Sequence, residues 1–168
     1  MLQAGDIAPS YVLSGDNGRT LDSRSLQGQR HVLFFYPKDN TPGCTREACA
    51  FRDLHGNFEA IGVPVFGVSA DIAATHDKFI RKHGLTFPLL SDPDHLMLEA
   101  FGVWVEKNLY GRKYMGVQRS TFVINATGAV ERVWEKVSPD GHAADVLAYL
   151  IASGPPGKRR VAKPAKAR

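Results

Sequence analysis

Cysteine is scarce in this chain: 168 residues carry two, Cys44 and Cys49. Nor is there an apolar run long enough to cross a bilayer. The start, Met1-Leu2-Gln3-Ala4-Gly5-Asp6, has no basic region followed by an apolar stretch. No secretory signal and no membrane contact are therefore expected, and the expected location is the cytoplasm, where a structural disulfide is unusual. Two cysteines in a reducing compartment leave catalysis, redox sensing, metal binding or plain core packing open. The dithiol pattern C-x-x-C is missing, which argues against a disulfide-exchange reductase. A zinc site needs about four ligands, commonly at short spacings. C-x₄-C with scattered histidines supports one weakly. His31, His55, His76, His83, His95 and His142 show no metal or triad spacing, and none is assigned a role. No internal repeat is visible.

Acid is absent from residues 154–168, which hold Lys158, Arg159, Arg160, Lys163, Lys166 and Arg168. Removing those six charges takes the formal +4 of the whole chain to −2 for residues 1–153. The basic balance thus belongs to a tail rich in Pro, Gly and Ala, with little to bury, and the tail is expected to be disordered. Its simplest reading is a solvated extension; the sharper one is a weak, salt-sensitive contact with nucleic acid or another polyanion. Residues 1–153, in a chain that is 43% hydrophobic, suit one compact domain with a core.

What is present reads as alternating strands and helices. Tyr11–Leu13 is a short strand followed by a turn. His31–Tyr36 is an apolar run ended by Pro37, as for a strand buried on both faces of a sheet. From Thr45 to Ile61 the period becomes helical, with Ala48, Phe51, Leu54, Phe58 and Ile61 forming one apolar stripe. Val63–Ser69 is a second buried strand, Ala73–His83 a helix, Phe87–Leu90 a short strand and Asp94–Phe101 a short helix. Lys113–Ile124 and Ala129–Trp134 read as two strands around the turn Asn125-Ala126-Thr127-Gly128, which makes that pair antiparallel. His142–Ile151 closes the domain as a helix. The order predicts an α/β fold with a central mixed β-sheet flanked by helices.

Both cysteines fall where the first long helix begins. A turn bearing Pro42 and Gly43 leads to Cys44, at a helix N-terminus whose unpaired N–H groups and partial positive charge favour an anion. A thiol there is pushed toward the thiolate, the form that attacks. Cys44 extends the apolar stripe and is expected to be partly sheltered. Cys49, among Thr45, Arg52 and Asp53, falls on the polar side, a poor place for a core-filling cysteine. On an ideal helix, Cα atoms five residues apart are about 8.6 Å apart. A disulfide is excluded above about 7 Å. Cys44 and Cys49 can therefore bond only if the first turn unwinds, and opening at a helix end costs little compared with global unfolding.

Tyr36-Pro37-Lys38-Asp39-Asn40-Thr41-Pro42-Gly43-Cys44-Thr45, followed by Glu47-Ala48-Cys49-Ala50-Phe51-Arg52-Asp53, resembles the active-site segment of the peroxiredoxins. The likeness is to the bacterioferritin comigratory protein branch, also called peroxiredoxin Q. Gly5–Pro9, Gly67–Ser69, Phe87–Asp92 and Tyr114–Phe122 match that family in order, so the resemblance covers about residues 4–152. Asn125, in a turn, stands where an acid is common.

The resemblance implies a thioredoxin-like fold and a thiol-dependent peroxidase for hydrogen peroxide and organic hydroperoxides. It implies Cys44 as the peroxidatic cysteine, oxidised to a sulfenic acid. Cys49 is implied as the resolving cysteine, forming an intramolecular disulfide that thioredoxin or a similar dithiol protein reduces. Thr41 would orient the peroxide, Arg119 would pair with the thiolate and the peroxide oxygen, Pro37 would exclude water and Glu47 would hold the arginine. The chemistry of these residue types agrees. A helix terminus supplies only about 0.3–1 kcal/mol toward a thiolate, whereas an opposite charge shifts a pKa by about 1–3 units. Arginine is always charged and offers planar donors to the charge that develops as the O–O bond breaks. No cofactor or metal is called for. A redox sensor that passes oxidation from Cys44 to a partner protein is the alternative. If unwinding precedes the disulfide, an oxidised sample exchanges its amides over residues 44–50 faster than a reduced one; equal protection in the two forms rules the unwinding out.

Overall fold

The computed structural model describes residues 1–15 and 18–154. The predicted basic tail, apart from Gly154, lies outside the described residues. The central element is β3 (His31–Phe35), every residue of which is buried. It runs parallel to β4 (Val65–Ser69), which is parallel to β5 (Leu89–Ser91). On its other side β3 is antiparallel to β8 (Ser120–Ile124), which pairs antiparallel with β9 (Val130–Trp134). β1 (Val12–Gly15) and β2 (Thr20–Asp22) complete a seven-stranded mixed sheet of order β2-β1-β5-β4-β3-β8-β9.

Period-two alternation divides the core between the two sheet faces. Val32, Phe34, Val65, Leu89 and Val123 point to one face, where they meet Phe51 and Phe58 of α1 (Pro42–Ala60), Phe79 of α2 (Ala73–His83) and Val146 and Leu150 of α4 (His142–Ala152). Leu33, Phe35, Val68, Leu90 and Phe122 point to the other, against Met97 and Leu98 of α3 (Leu96–Ala100) and Phe101. The predicted sheet, the Ala73–His83 helix and the antiparallel final pair are all present. Among the described residues no helix is long and apolar enough to cross a membrane.

The start of the first helix and one long strand differ from the sequence reading. α1 starts at Pro42 rather than Thr45, because proline is pre-organised for the first helical position and its missing N–H costs nothing there. Pro42 and Gly43 are thus helix, not turn. The segment read as one strand, Lys113–Ile124, is two. β7 (Arg112–Val117) pairs with β6 (Trp104–Leu109) in a separate hairpin, and β8 belongs to the main sheet. The hairpin turns at Tyr110 and Gly111, both at positive φ, the geometry of a tight type I′ connection. The break falls at Gln118-Arg119, where the Gln118 N–H donates to the Val103 carbonyl and the Arg119 carbonyl accepts from the Val137 N–H. A run of β-formers hides such a break, since propensity does not say which partner a strand takes.

A buried ion pair closes the domain. Arg30, 1% exposed, donates from Nε to Glu131 Oε1 (3.0 Å) and from Nη2 to Glu131 Oε2 (2.5 Å). Its remaining donors hold the Ser153 hydroxyl and the Gly154 carbonyl just past α4. Arg30→Ala leaves Glu131 without its guanidinium, and we expect urea unfolding to show a loss of about 3–5 kcal/mol.

Candidate active site

The register of the sheet sets the site. β8 is antiparallel to β3, with Ser120 opposite Phe35. Arg119, one residue before β8, therefore stands beside the chain that leaves β3 through Tyr36 and enters α1. There the Thr45 N–H makes the first helical bond, to the Thr41 carbonyl at 2.8 Å. The N–H groups of Gly43 and Cys44 precede that bond, and N–H groups in a first turn have no acceptor within the helix. Thr41 is the N-cap residue, but its side chain does not cap the helix.

Cys44 and Glu47 lie three residues apart, so both face the same way from the first turns of α1. Arg119 reaches both. Its Nη2 donates to Cys44 Sγ at 3.3 Å and its Nη1 to Glu47 Oε1 at 2.6 Å. Cys44 is 1% exposed, a deeper burial than the partial shelter expected from the stripe. The Glu47 side chain is fully buried and that of Arg119 is 15% exposed, so the guanidinium is the wet edge of the trio. Burial pushes the Glu47 carboxyl up to about 7 although Arg119 pulls it down. Its Oε2 is buried and has no hydrogen-bond partner among the described residues. Gly43 leaves room for the guanidinium: a Cβ there would sit 3.2 Å from Arg119 Nη2 and press against it.

The remaining predicted residues surround this trio. Thr41 donates its hydroxyl hydrogen to the Lys38 carbonyl at 2.8 Å, which leaves the oxygen lone pairs for an incoming O–H. Pro37 is half-buried in the loop between β3 and α1. Cys49 is half-buried rather than exposed, and both thiols are free, in one unbroken helix. A cleft lined by Tyr11, Leu33, Phe101 and Ile124 belongs to the opposite face of the sheet and touches none of these residues.

Three groups escaped the sequence reading. Lys107 of β6 lays its stem against Gly116; burial and the nearby Arg119 hold its ammonium below the ordinary lysine range, with Cys44 opposing. No strand had been assigned to that segment, so nothing pointed to it. Asp39 and His76 form a buried pair under the loop, although neither spacing nor composition joins them. Together with Asp71 they are, among the described residues, the set whose donor atoms could meet a metal ion, and hydrogen bonds to neighbouring groups already engage all three side chains. The third, His142, backs the site: its Nε2 lies 2.7 Å from Thr121 Oγ1 and its ring meets Phe51 and Trp134 edge-on.

Comparison with known proteins supplies the family. Residues 4–133 match the model of the AhpC/TSA family. The chain belongs to that family. It is 45% identical over 149 residues to a putative peroxiredoxin Bcp of Coxiella burnetii, covering 89% of this chain and 99% of the relative. Peroxiredoxin Bcp of Bacillus subtilis is also 45% identical, over 89% of this chain and 95% of its own. A cysteine-to-serine variant of Xanthomonas campestris peroxiredoxin Q superposes with a TM-score of 0.85 at 41% identity, over 91% of this chain and all of that one. The bacterioferritin comigratory protein of the same organism, solved to explain its alkyl peroxide reduction activity, gives 0.81 at 43% identity over 84% and 90% of the two chains. As a peroxiredoxin with a thioredoxin-like fold, the protein is a thiol-dependent peroxidase, an oxidoreductase.

Burial lowers the His142 pKa to about 4, so the ring behind the site is neutral near neutral pH. The unfolded chain protonates this histidine below about 6.5 and the folded one only near 4, so stability falls as pH drops between those values, by up to ~1.4 kcal/mol per pH unit. His142→Gln, which can still hydrogen-bond Thr121, should flatten that part of the stability curve. Parallel curves for parent and variant, measured by denaturant titration from pH 7 to 4, contradict the assignment.

Proposed function

We propose that Cys44 is the attacking thiolate of this peroxidase and Cys49 its resolving partner. The observation that carries the reading is the shared guanidinium: Arg119 donates to Cys44 Sγ at 3.3 Å while Glu47 fixes its other arm. A cation so held favours the thiolate and remains aimed at the place where charge develops on the substrate. Cys44 sulfur bonds to one peroxide oxygen as the O–O bond breaks. The departing oxygen takes a proton and leaves as water or an alcohol, and Cys44 becomes a sulfenic acid. The Cys49 thiol then displaces that hydroxyl, releasing water and forming the disulfide. Two electrons from thioredoxin or a similar dithiol restore both thiols.

The supporting residues divide the work. Thr41 accepts the peroxide O–H on the lone pairs that its bond to Lys38 leaves available. Arg119 stabilises the leaving oxygen, Glu47 positions Arg119, and Pro37 keeps water off the thiolate. No step requires a metal or organic cofactor. The substrates are hydrogen peroxide and organic hydroperoxides; the alkyl peroxide reduction activity of the Xanthomonas relative supports the second class. The proposed location is the cytoplasm.

The test is peroxide consumption coupled to thioredoxin, thioredoxin reductase and NADPH. We expect Cys44→Ser to abolish turnover and Cys49→Ser to complete one turnover without efficient recycling. Full activity in Cys44→Ser refutes the assignment.

A further inference from the structure

The loop that delivers Cys44 is tied down by a buried ion pair that the chemistry above does not use. The Tyr36 hydroxyl donates to Asp39 Oδ1 at 2.6 Å. His76 Nδ1 lies 2.6 Å from Asp39 Oδ2, and its Nε2 lies 3.0 Å from the Leu90 carbonyl. The Leu90 carbonyl can only accept, and with Asp39 as a carboxylate both ring nitrogens donate and the ring is an imidazolium. The side chains of Asp39 and His76 are completely buried. Burial works against the charged ring, but Asp39, the Leu90 carbonyl and Asp71 outweigh it and hold the pKa above the ordinary histidine value.

The knot extends further. The Asp39 N–H donates to Asp71 Oδ2 at 2.9 Å, and the Ser69 hydroxyl donates to the same oxygen at 2.7 Å. One short loop is thereby fixed to α2 and to the C-terminal ends of β3, β4 and β5. Immediately beyond Asp39 the chain turns through Asn40 at φ 62° and enters α1. From Ala48 onward α1 is packed into the core through Ala48, Phe51 and Phe58. The turn carrying Cys44 lies between these two anchors.

We propose that Asp39 and His76 are positioning residues, a latch that holds the loop and thereby keeps the first turn of α1 wound, with Cys44 on Arg119. The proposal rests on the reading of Cys44 and Cys49 as the reacting pair. It makes the latch a setting between two demands on one turn. Attack on the peroxide needs the wound turn, in which Arg119 meets the sulfur. Disulfide formation needs it unwound, because five residues of helix hold the thiols too far apart. The sulfenic acid has a competing fate: a second hydroperoxide can transfer an oxygen to it, giving Cys44 sulfinic acid and another molecule of water or alcohol. A tighter latch speeds the first attack and exposes the sulfenic acid longer to the second.

Two variants attack the latch from different elements. His76→Gln removes the cation; Tyr36→Phe removes one hydrogen bond and preserves ring packing against Phe34 and Phe79. The reduced full-length protein is mixed with hydrogen peroxide, quenched on a time course, and its sulfenic, disulfide and sulfinic forms are resolved by mass spectrometry. In His76→Gln we expect Cys44 oxidation to slow and disulfide formation to quicken, each by about tenfold, with less sulfinic acid per turnover. Tyr36→Phe should move all three in the same direction by less, and it carries the test if His76→Gln does not fold. Amide exchange should quicken over residues 41–49 and stay unchanged in β3 and β8. A merely structural role predicts otherwise: either no change in any rate, or both rates falling together with faster exchange across the sheet, and each outcome overturns the latch. Failure of the parent protein to form any disulfide overturns the Cys44–Cys49 reading itself, and the latch with it. A parent that does form it, beside variants that match it, overturns the latch alone.

Discussion

A single guanidinium joins two parts of the chain that are distant in sequence. Arg119, at the foot of β8, donates to a sulfur and to a carboxyl group on the first turns of α1. Glu47 is buried, and burial alone would leave its carboxyl protonated through much of the neutral range. Arg119 opposes that, and Glu47 in turn keeps the guanidinium from swinging out to water. The arginine is thus positioned by a group that itself needs the arginine. Lysine could not do this, because one ammonium lacks the forked donors to serve both partners at their separate positions.

Two anchors flank the turn that carries Cys44. On the core side α1 is stacked on the sheet, with Phe51 and Phe34 rings parallel at 4.6 Å. On the loop side Asp39 is held by Tyr36, His76 and Asp71. The turn between them carries an N-cap threonine whose side chain does not cap, and a proline that contributes no N–H. Its helical bonds are therefore few. Cys44 sits on the turn between these two anchors.

Much of the fold was legible because burial leaves a periodic trace. The run His31-Val32-Leu33-Phe34-Phe35 has the composition of a strand covered on both faces, and it is one. Of the stripe Ala48, Phe51, Leu54, Phe58 and Ile61, which marks a helix lying on a core, Ala48, Phe51 and Phe58 are buried and Leu54 and Ile61 pack half-buried against the same core. The hairpin β6–β7 left no such trace. Its strands are mostly exposed, so they carry little hydrophobic pattern, and β7 merges in sequence with β8. In the site, the cysteines were legible as local chemistry on one helix start, and Thr41 through a family likeness. Arg119 and Glu47 were legible only through a family likeness, and Asp39–His76 not at all, since an ion pair between a loop and a distant helix has no spacing to read.

The sequence by itself determined which residues alternate into the core, where α1 begins to within three residues, and that two thiols share one helix. These are local properties, set by side-chain period, proline placement and covalent neighbourhood. Only the tertiary structure decided which cation meets Cys44. That follows from the antiparallel register of β8 on β3, which sets Ser120 opposite Phe35 and so brings Arg119 to the helix start. A slip of one residue would send that side chain to the opposite face of the sheet, because successive residues of a strand point opposite ways.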